Sequence, residues 1–316
     1  MSPAQKIKQK ALELGFDAVG ITDANPISSE QVELLAGWLK CGFAGQMGYM
    51  YRNFEKRINP AKLLENAKSV ICVGLNYTGL KYSLPLPGST VGRVAQYAQY
   101  EDYHPFIKKQ LRHLADFITS LVDKDLRFKI CVDSAPLAER ALAARAGLGF
   151  IGKNHMLINP EFGPQVLLGE IITDLKLQGD GPITNNCADC NKCIKNCPTG
   201  ALRENGGFDA NKCISYLTIE HKDRIPAELS AKIGNWLFGC DECVLACPWL
   251  ENAPLCRNKD FKFYSDRAQP DLRRILNMTE TQFRSEFADS CLNRAGLERL
   301  QTNAQIVLEN ISGRHH

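Results

Sequence analysis

Apolar positions along the first 180 residues switch between helical and strand spacing, and the switches are punctuated by glycine, proline and serine. Residues 3–15 predict an amphipathic helix that ends at Gly15, and FDAVGITDA (16–24) predicts a short strand. SSEQVELLAGWLKCG (28–42) reads as a helix with Ser at its start and Gly at its end. SVICVGLNY (69–77) is a near-continuous apolar run, suited to a strand buried on both faces. TGLKYSLPLPGSTVG (78–92) reads as a loop, and a longer helix is expected from about Pro105 to Leu121. FKICVDS (128–134) predicts a second buried strand, LAERALAARAGLG (137–149) a helix closed by glycines, and QVLLGEIITDL (165–175) a third apolar strand. Strands alternate with helices, which predicts one α/β domain over residues 1–180. GDGPITNN is a turn-rich linker into a cysteine-rich region. The last part, from about Pro270 to Ile311, reads as helices after a coil.

Composition narrows the class without naming a function. The chain has 316 residues, 44% hydrophobic and 23% charged, ordinary for a globular protein with two or three small domains. A net charge of +3 does not announce nucleic-acid binding, although a local basic surface is compatible with it. No stretch approaches the about 18 apolar residues of a membrane span. The opening MSPAQKIKQKALELGF has no apolar core of signal-peptide length.

The cysteines change the picture. Cys187, Cys190, Cys193 and Cys197 read C-x2-C-x2-C-x3-C and Pro198 follows; Cys240, Cys243 and Cys247 read C-x2-C-x3-C and Pro248 follows, with Cys213 upstream. In the bacterial ferredoxin spacing the fourth cysteine of a run crosses to the other cluster. Cys187, Cys190, Cys193 and Cys247 are then expected to hold one [4Fe–4S] cluster, and Cys197, Cys213, Cys240 and Cys243 the other. Zinc sites use paired C-x2-C units, and disulfides need an oxidising compartment. The insertion 214–239 between ligands contains IPAELSAKIGNWLFG, which reads as a helix. Cys41, Cys72, Cys131, Cys256 and Cys291 are scattered and read as buried free thiols of a protein in a reducing cytoplasm.

Three further constellations stand out. VDSAPLAER places Asp133 at the end of a buried strand. It is a proton donor if burial raises its pKa, or else it or Ser134 caps a helix over 136–147. AGLGFIGKN carries Gly147, Gly149 and Gly152, but these glycines follow a helix instead of opening one, which argues against nicotinamide or flavin binding. YAQYEDYHPF gathers Tyr97, Tyr100, Tyr103 and His104; His104 is either a metal or cofactor contact or a helix-start residue.

Together these segments resemble the epoxyqueuosine reductase family. The resemblance is carried by GFAGQMGYM, KRINPAKLL, YEDYH, VDSAPLAERALAARAGLGFIGKN, the CPTGAL run, CISYLTIEHKDRIP and NWLFGCDECVLACPW, in the same order from the N-terminus to about residue 310. It implies an α+β / α/β fold. An α/β cobalamin-binding domain (1–180) precedes a ferredoxin-like domain with two [4Fe–4S] clusters (181–255) and a helical C-terminal segment (256–312), and residues 313–316 are read as a tag remnant. It implies reduction of epoxyqueuosine to queuosine at the wobble position of tRNA, the last step of queuosine biosynthesis, by Co(I) cobalamin (bound base-off) fed by the clusters. Asp133 matches the proton donor. Arg57, Asp133, Lys153, Asn154, His155, Ser215, Asp241 and Glu242 match or flank cofactor contacts, and Glu220, His221, Lys222 and Arg224 are assigned to the nucleoside and anticodon stem-loop. Tyr216 and Arg224 are the candidates for stacking on splayed bases. The implied partners are tRNA carrying epoxyqueuosine and a low-potential donor such as ferredoxin or flavodoxin, with a cytoplasmic monomer and no membrane.

The sequence departs from the family pattern in places. Many members carry a C-terminal helical-repeat domain that this chain ends before, so tRNA affinity is expected to rest on the core. Position 155 is His, position 165 is Gln, and CPWLEN replaces the more usual CPWN followed by a basic residue. Two rival readings stay open: a corrinoid iron–sulfur reductase of another substrate, such as an organohalide, and a plain electron-transfer protein. The missing twin-arginine leader counts against the organohalide reading.

Overall fold

Four of the apolar runs pair into one sheet. The computed structural model describes residues 1–79, 89–123 and 125–313; the middle of the expected loop, 80–88, and residues 314–316 of the expected tag remnant lie outside them. The strands are β1 (Ala18–Asp23), β2 (Ser69–Asn76), β3 (Arg93–Val94), β4 (Phe128–Cys131), β5 (Phe150–Ile151), β6 (Leu157–Ile158), β7 (Val166–Thr173) and β8 (Trp236–Phe238). The main sheet has the order β1-β2-β7-β4, and each neighbouring pair is antiparallel. Every residue of β2 is buried, as its unbroken apolar run requires of a central strand.

Alternation along these strands sorts the side chains into two cores. Ile21, Ile71, Val73, Leu75 and Ile171 face the helices Pro3–Glu13 and Tyr103–Ser120. Val70, Cys72, Cys131 and Ile172 face the helix Glu139–Arg145. Ser2 and Ser28 each form a capping box at the starts of helices Pro3–Glu13 and Ser29–Lys40, which satisfies donors that a helix start leaves open. Glu170, on β7, sits between Cys72 of β2 and Cys131 of β4 at one level of the sheet.

A third core joins Val94 and Ala98 to residues 210–238 and to the C-terminal helices Leu272–Leu276, Glu280–Glu286 and Gly296–Ser312. The C-terminal segment thus packs on the insertion between the cluster cysteines. Only part of that insertion is the expected helix. Ala227–Ser230 is helical, a 3-10 turn follows to Ile233, and Gly234 in a left-handed conformation (φ 62°) turns the chain into β8 beside β3. Trp236, Leu237 and Phe238 are a short apolar run buried on both faces, which favours a strand over an amphipathic helix. Among the described residues no helix is long and apolar enough to cross a membrane.

Candidate functional site

The eight motif cysteines gather in two groups. Cys187, Cys190, Cys193 and Cys247 line an open cavity of about 330 Å³, with Lys153, Asn154, Ile158, Pro248 and Trp249 completing its wall. Burial first, then the charges of the other three, push the Cys247 thiol up to about 11, so all four lie close together. In the second group Cys213 responds to Cys197, Cys240 to Cys213 and Cys243, and Cys243 to Cys213 and Cys197. Cys193 of the first group also acts on Cys243, so the two groups adjoin. Backbone N–H groups point at the sulfurs: Lys153 at Cys187 (3.4 Å), Ser215 and Tyr216 at Cys213, Glu242 at Cys240 and Trp249 at Cys247. Such donors stabilise the thiolates that iron–sulfur ligation needs. Of the remaining thiols Cys72, Cys131 and Cys291 are buried, but Cys41 is exposed and Cys256 half-buried, because Cys41 lies at the open end of a surface helix.

A second constellation lies around Asp133. β4 ends at Cys131, and Asp133 takes a left-handed conformation (φ 53°) that L-residues other than Asn, Asp and Gly seldom adopt. Its backbone N–H donates to Glu139 Oε1 at 2.6 Å. Neither Asp133 nor Ser134 caps the helix: it begins at Glu139, after Ala138, with no side-chain cap. The side chain of Asp133 is 65% exposed although protein surrounds it on most sides, so it stands in an open concavity.

His104 faces it. Asp102 caps the helix Tyr103–Ser120 and accepts from His104 N–H, and the imidazole Nδ1 lies 2.6 Å from Asp102 and Nε2 3.4 Å from Asp133. Burial alone would lower the histidine's pKa. The hydrogen bonds to Asp102 and Asp133 outweigh it and push the pKa up to about 11, so His104 is an imidazolium at neutral pH. The hydrogen bond from His104 in turn holds Asp133 below the usual carboxylate range, against the effect of burial. This corrects the sequence expectation, in which burial raises the Asp133 pKa. His104 is the helix-start residue that one of its two readings expects, and from that position it faces Asp133.

The segment 152–155 connects the two constellations. Lys153 donates its backbone N–H to Cys187 and its Nζ to Ala188 O and Asn191 Oδ1, both at 2.9 Å. Asn154 is buried and reaches Cys243 O at 3.4 Å. These two expected cofactor contacts thus border the cysteine cavity. His155, at φ 60°, accepts from Arg140 through its carbonyl, and the Arg140 charge acts on Asp133. Two polar atoms here are buried without a hydrogen-bond partner: Arg57 Nε and His155 Nε2.

Other expected contacts hold the scaffold. Asp241 is buried and accepts from Gln96 N–H at 2.7 Å. Glu242 receives Arg93 and Trp236 Nε1, each at 3.0 Å, while the Arg93 guanidinium stacks on the Trp236 ring. Glu242 thus ties β3 to β8, and Asp241 holds the turn that follows β3, so both expected cofactor contacts serve the scaffold. Ser215 is half-buried and serves Cys213 through its backbone. Tyr216, expected to stack on a base, is buried, with its hydroxyl accepting from Gln46 N–H at 2.8 Å; a ring so enclosed is not free to stack.

The TIEHKDR segment lies beside this concavity. Glu220 pairs with Arg294 at 2.9 Å, and Arg294 lies 5.7 Å over the Tyr49 ring, whose carbonyl accepts from Arg57. The charges of both Asp133 and Glu220 reach Tyr49. His221 is half-buried near Tyr216, whereas Lys222 and Arg224 are exposed. Arg294, Tyr49, Arg140 and Glu139 were not singled out from sequence: Arg294 lies in no motif, and within GFAGQMGYM and VDSAPLAER nothing local marks Tyr49, Glu139 or Arg140 as facing the site.

Comparison with known proteins decides the family. The model described as "4Fe-4S double cluster binding domain" matches residues 186–250, and that of "Epoxyqueuosine reductase QueG, DUF1730" matches 57–134. Epoxyqueuosine reductase of Vibrio cholerae is 38% identical over 97% of this chain and 83% of its own length. That of Leadbetterella byssophila is 40% identical over 97% and 98% respectively. The chain belongs to the epoxyqueuosine reductase family. A solved epoxyqueuosine reductase in complex with an epoxyqueuosine-modified tRNA stem loop superposes with a TM-score of 0.90 at 32% identity, over 97% of this chain and 81% of that one. Epoxyqueuosine reductase of Bacillus subtilis, solved with a catalytic aspartate loop swung out of the active site, superposes at 0.89 with 32% identity over the same shares. The double-cluster match puts two [4Fe–4S] clusters on this member of the family, within the region that contains all eight paired cysteines.

Proposed function

We propose that the chain reduces epoxyqueuosine in the wobble position of tRNA to queuosine, with cobalamin as cofactor and Asp133 as the group that delivers a proton to the departing oxygen. One observation carries the reading: the segment 152–155 joins the cluster cysteines to the Asp133 concavity through consecutive residues, so a source of electrons and a carboxyl group able to pass a proton converge on one open site. The ligand sets are Cys187, Cys190, Cys193 and Cys247 for one cluster, and Cys197, Cys213, Cys240 and Cys243 for the other.

The residues present fit a corrinoid. Arg57 Nε and His155 Nε2 are buried polar atoms without partners, and a group rimmed with amides, which both donate and accept, satisfies such atoms. Burial keeps His155 neutral, so that it accepts as well as donates. Arg57 and His155 would hold the periphery, with Lys153 and Asn154 between it and the first cluster. When bound, the corrinoid supplies a strongly reducing cobalt centre.

The chain's own residues do the rest. Glu139 and the left-handed turn fix the Asp133 backbone, and His104, locked by Asp102, fixes its carboxylate. Arg140 adds positive charge where negative charge develops on the leaving oxygen. Lys222 and Arg224, exposed beside the Glu220–Arg294 pair, meet the phosphates of the stem loop. The domain limits 1–180, 181–255 and 256–312 belong to this reading, as do a monomeric state, a cytoplasmic location and a ferredoxin- or flavodoxin-like donor. Titrating cobalamin into the anaerobic, cluster-loaded protein tests the cofactor. Binding with the nucleotide base displaced supports it, and no binding reduces the protein to an electron carrier.

A further inference from the structure

Removing an epoxide oxygen to leave an alkene consumes two electrons and two protons: both C–O bonds break, a C=C bond forms, and the oxygen departs as water. The electrons come from the clusters and their external low-potential donor. Asp133 carries one carboxyl, and His104 keeps it ionised. His104 is itself protonated, but it is held between two carboxylates at a pKa of about 11, so a group that gives up its proton more readily must supply the reaction.

Behind Asp133 lie two carboxyls with no part in the chemistry at the open site. Glu170 is wholly buried on β7, flanked by the Cys72 and Cys131 strands, and no N–H or hydroxyl donor reaches its oxygens; its hydrogen-bonding neighbour is the Glu139 carboxyl. An ionised carboxylate without a partner in such a place costs several kcal/mol, so Glu170 carries a proton. Glu139 stands between it and the site. Its Oε1 accepts the Asp133 N–H at 2.6 Å, and its charge is the strongest acting on Glu170.

We propose that Glu139 and Glu170 form a proton-holding pair that positions Asp133 and resupplies it with the protons it passes to the substrate. The inference rests on the reductase reading of the Asp133 site. With cofactor and nucleotide over the concavity, the exposed side of Asp133 is closed; on its protein side stand His104, whose proton is tightly held, and this pair, whose protons are released more readily. Burial first, then the Asp133 charge, push Glu139 up to about 8, while Glu170 is raised well above the usual range. Other charged groups face the pair. Arg140 lowers Glu139, and Arg57 lies within its field. Burial holds Cys72 and Cys131 as neutral thiols. When Asp133 gives up a proton to the oxygen it returns to a carboxylate, Glu139 or Glu170 loses one to restore it, and solvent refills the pair between turnovers. Glu139 is therefore a positioning residue that acts through Asp133.

Difference infrared spectroscopy on the anaerobic cluster-loaded protein tests the pair without turnover. A protonated-carboxyl band is expected at neutral pH, with part of it titrating near pH 8 and lost in Glu139→Gln and a second part lost in Glu170→Gln. No such band in the native protein, or one unchanged in both variants, overturns the proposal. In turnover, Glu139→Gln is expected to lower kcat at least tenfold with KM for tRNA, iron content and corrinoid binding unchanged, to lose the alkaline limb near pH 8, and to be partly rescued by Glu139→Asp. A variant that keeps the native pH profile refutes the relay. A native protein that shows the band but leaves the nucleoside unreduced contradicts the reductase reading and, with it, the proton's destination, while leaving the pair itself in place.

Discussion

Replacing His104 with Gln removes a positive charge from between two carboxylates, and its consequence is set by geometry. The bond to Asp102 is 2.6 Å long, and both side chains are less than one-third exposed. A charge-assisted bond of that kind contributes about 2 kcal/mol. The contact with Asp133 is 3.4 Å and its carboxylate is mostly open to solvent, so it adds at most about 0.5 kcal/mol. Folding raises the imidazole pKa from 6.5 to about 11, which means that the folded state binds the proton more tightly. That stabilisation is complete below pH 6.5 and is lost as the pH rises through 11. The amide of a glutamine has no such proton to lose. The His104→Gln variant is therefore expected to melt about 4 °C below the native protein on the acid side, for a chain of this size. The gap should narrow steadily on the alkaline side. Paired anaerobic calorimetry of the cluster-loaded proteins across pH measures it, and pH effects on the clusters themselves cancel in the difference. A gap that is flat or widens with pH refutes the imidazolium bridge.

Other perturbations have equally definite outcomes. Cys213→Ala should halve the iron bound per chain and leave one paramagnetic cluster in the reduced protein, read by iron assay and electron paramagnetic resonance. Arg57→Met is expected to weaken cobalamin binding about tenfold, or about 1.4 kcal/mol, in an absorbance titration, with cluster content unchanged. Glu242→Gln, which breaks the buried Arg93 pair, should cost about 1–3 kcal/mol in stability with cobalamin affinity unaltered; a selective loss of cobalamin binding would return Glu242 to the cofactor site. Gly45→Ala is expected to lower stability and loosen Tyr216, since a Cβ there would lie 2.5 Å from the Tyr216 hydroxyl at a φ of 56°; an unchanged melting temperature would contradict that.

The main sheet was legible because β2 and β7 are long and apolar, so period and length agree. Strand direction was not, since alternation of strands and helices says nothing of which way each strand runs. The double-cluster domain was legible because ligand spacing is a local property of the chain. Asp133 could be located from VDSAPLAER, but its ionisation depends on His104, 29 residues away, and on a concavity that only tertiary packing creates. For the same reason the scaffold role of Asp241 and Glu242 was not legible: Gln96, Arg93 and Trp236 come from elsewhere in the fold to engage them. Tyr216 reads as an exposed aromatic in a charged segment, yet the turn at Gly45 and Gln46 buries it.

Removal of an epoxide oxygen from tRNA by two clusters and Asp133 acting together is open to direct observation. Nucleosides digested from tRNA bearing epoxyqueuosine would be weighed by mass spectrometry after anaerobic incubation with the iron-reconstituted protein, cobalamin and a strong reductant. Conversion to queuosine by loss of one oxygen is expected, dependent on cobalamin and abolished in Asp133→Asn. An unchanged nucleoside, despite full clusters and bound cobalamin, would contradict the assignment.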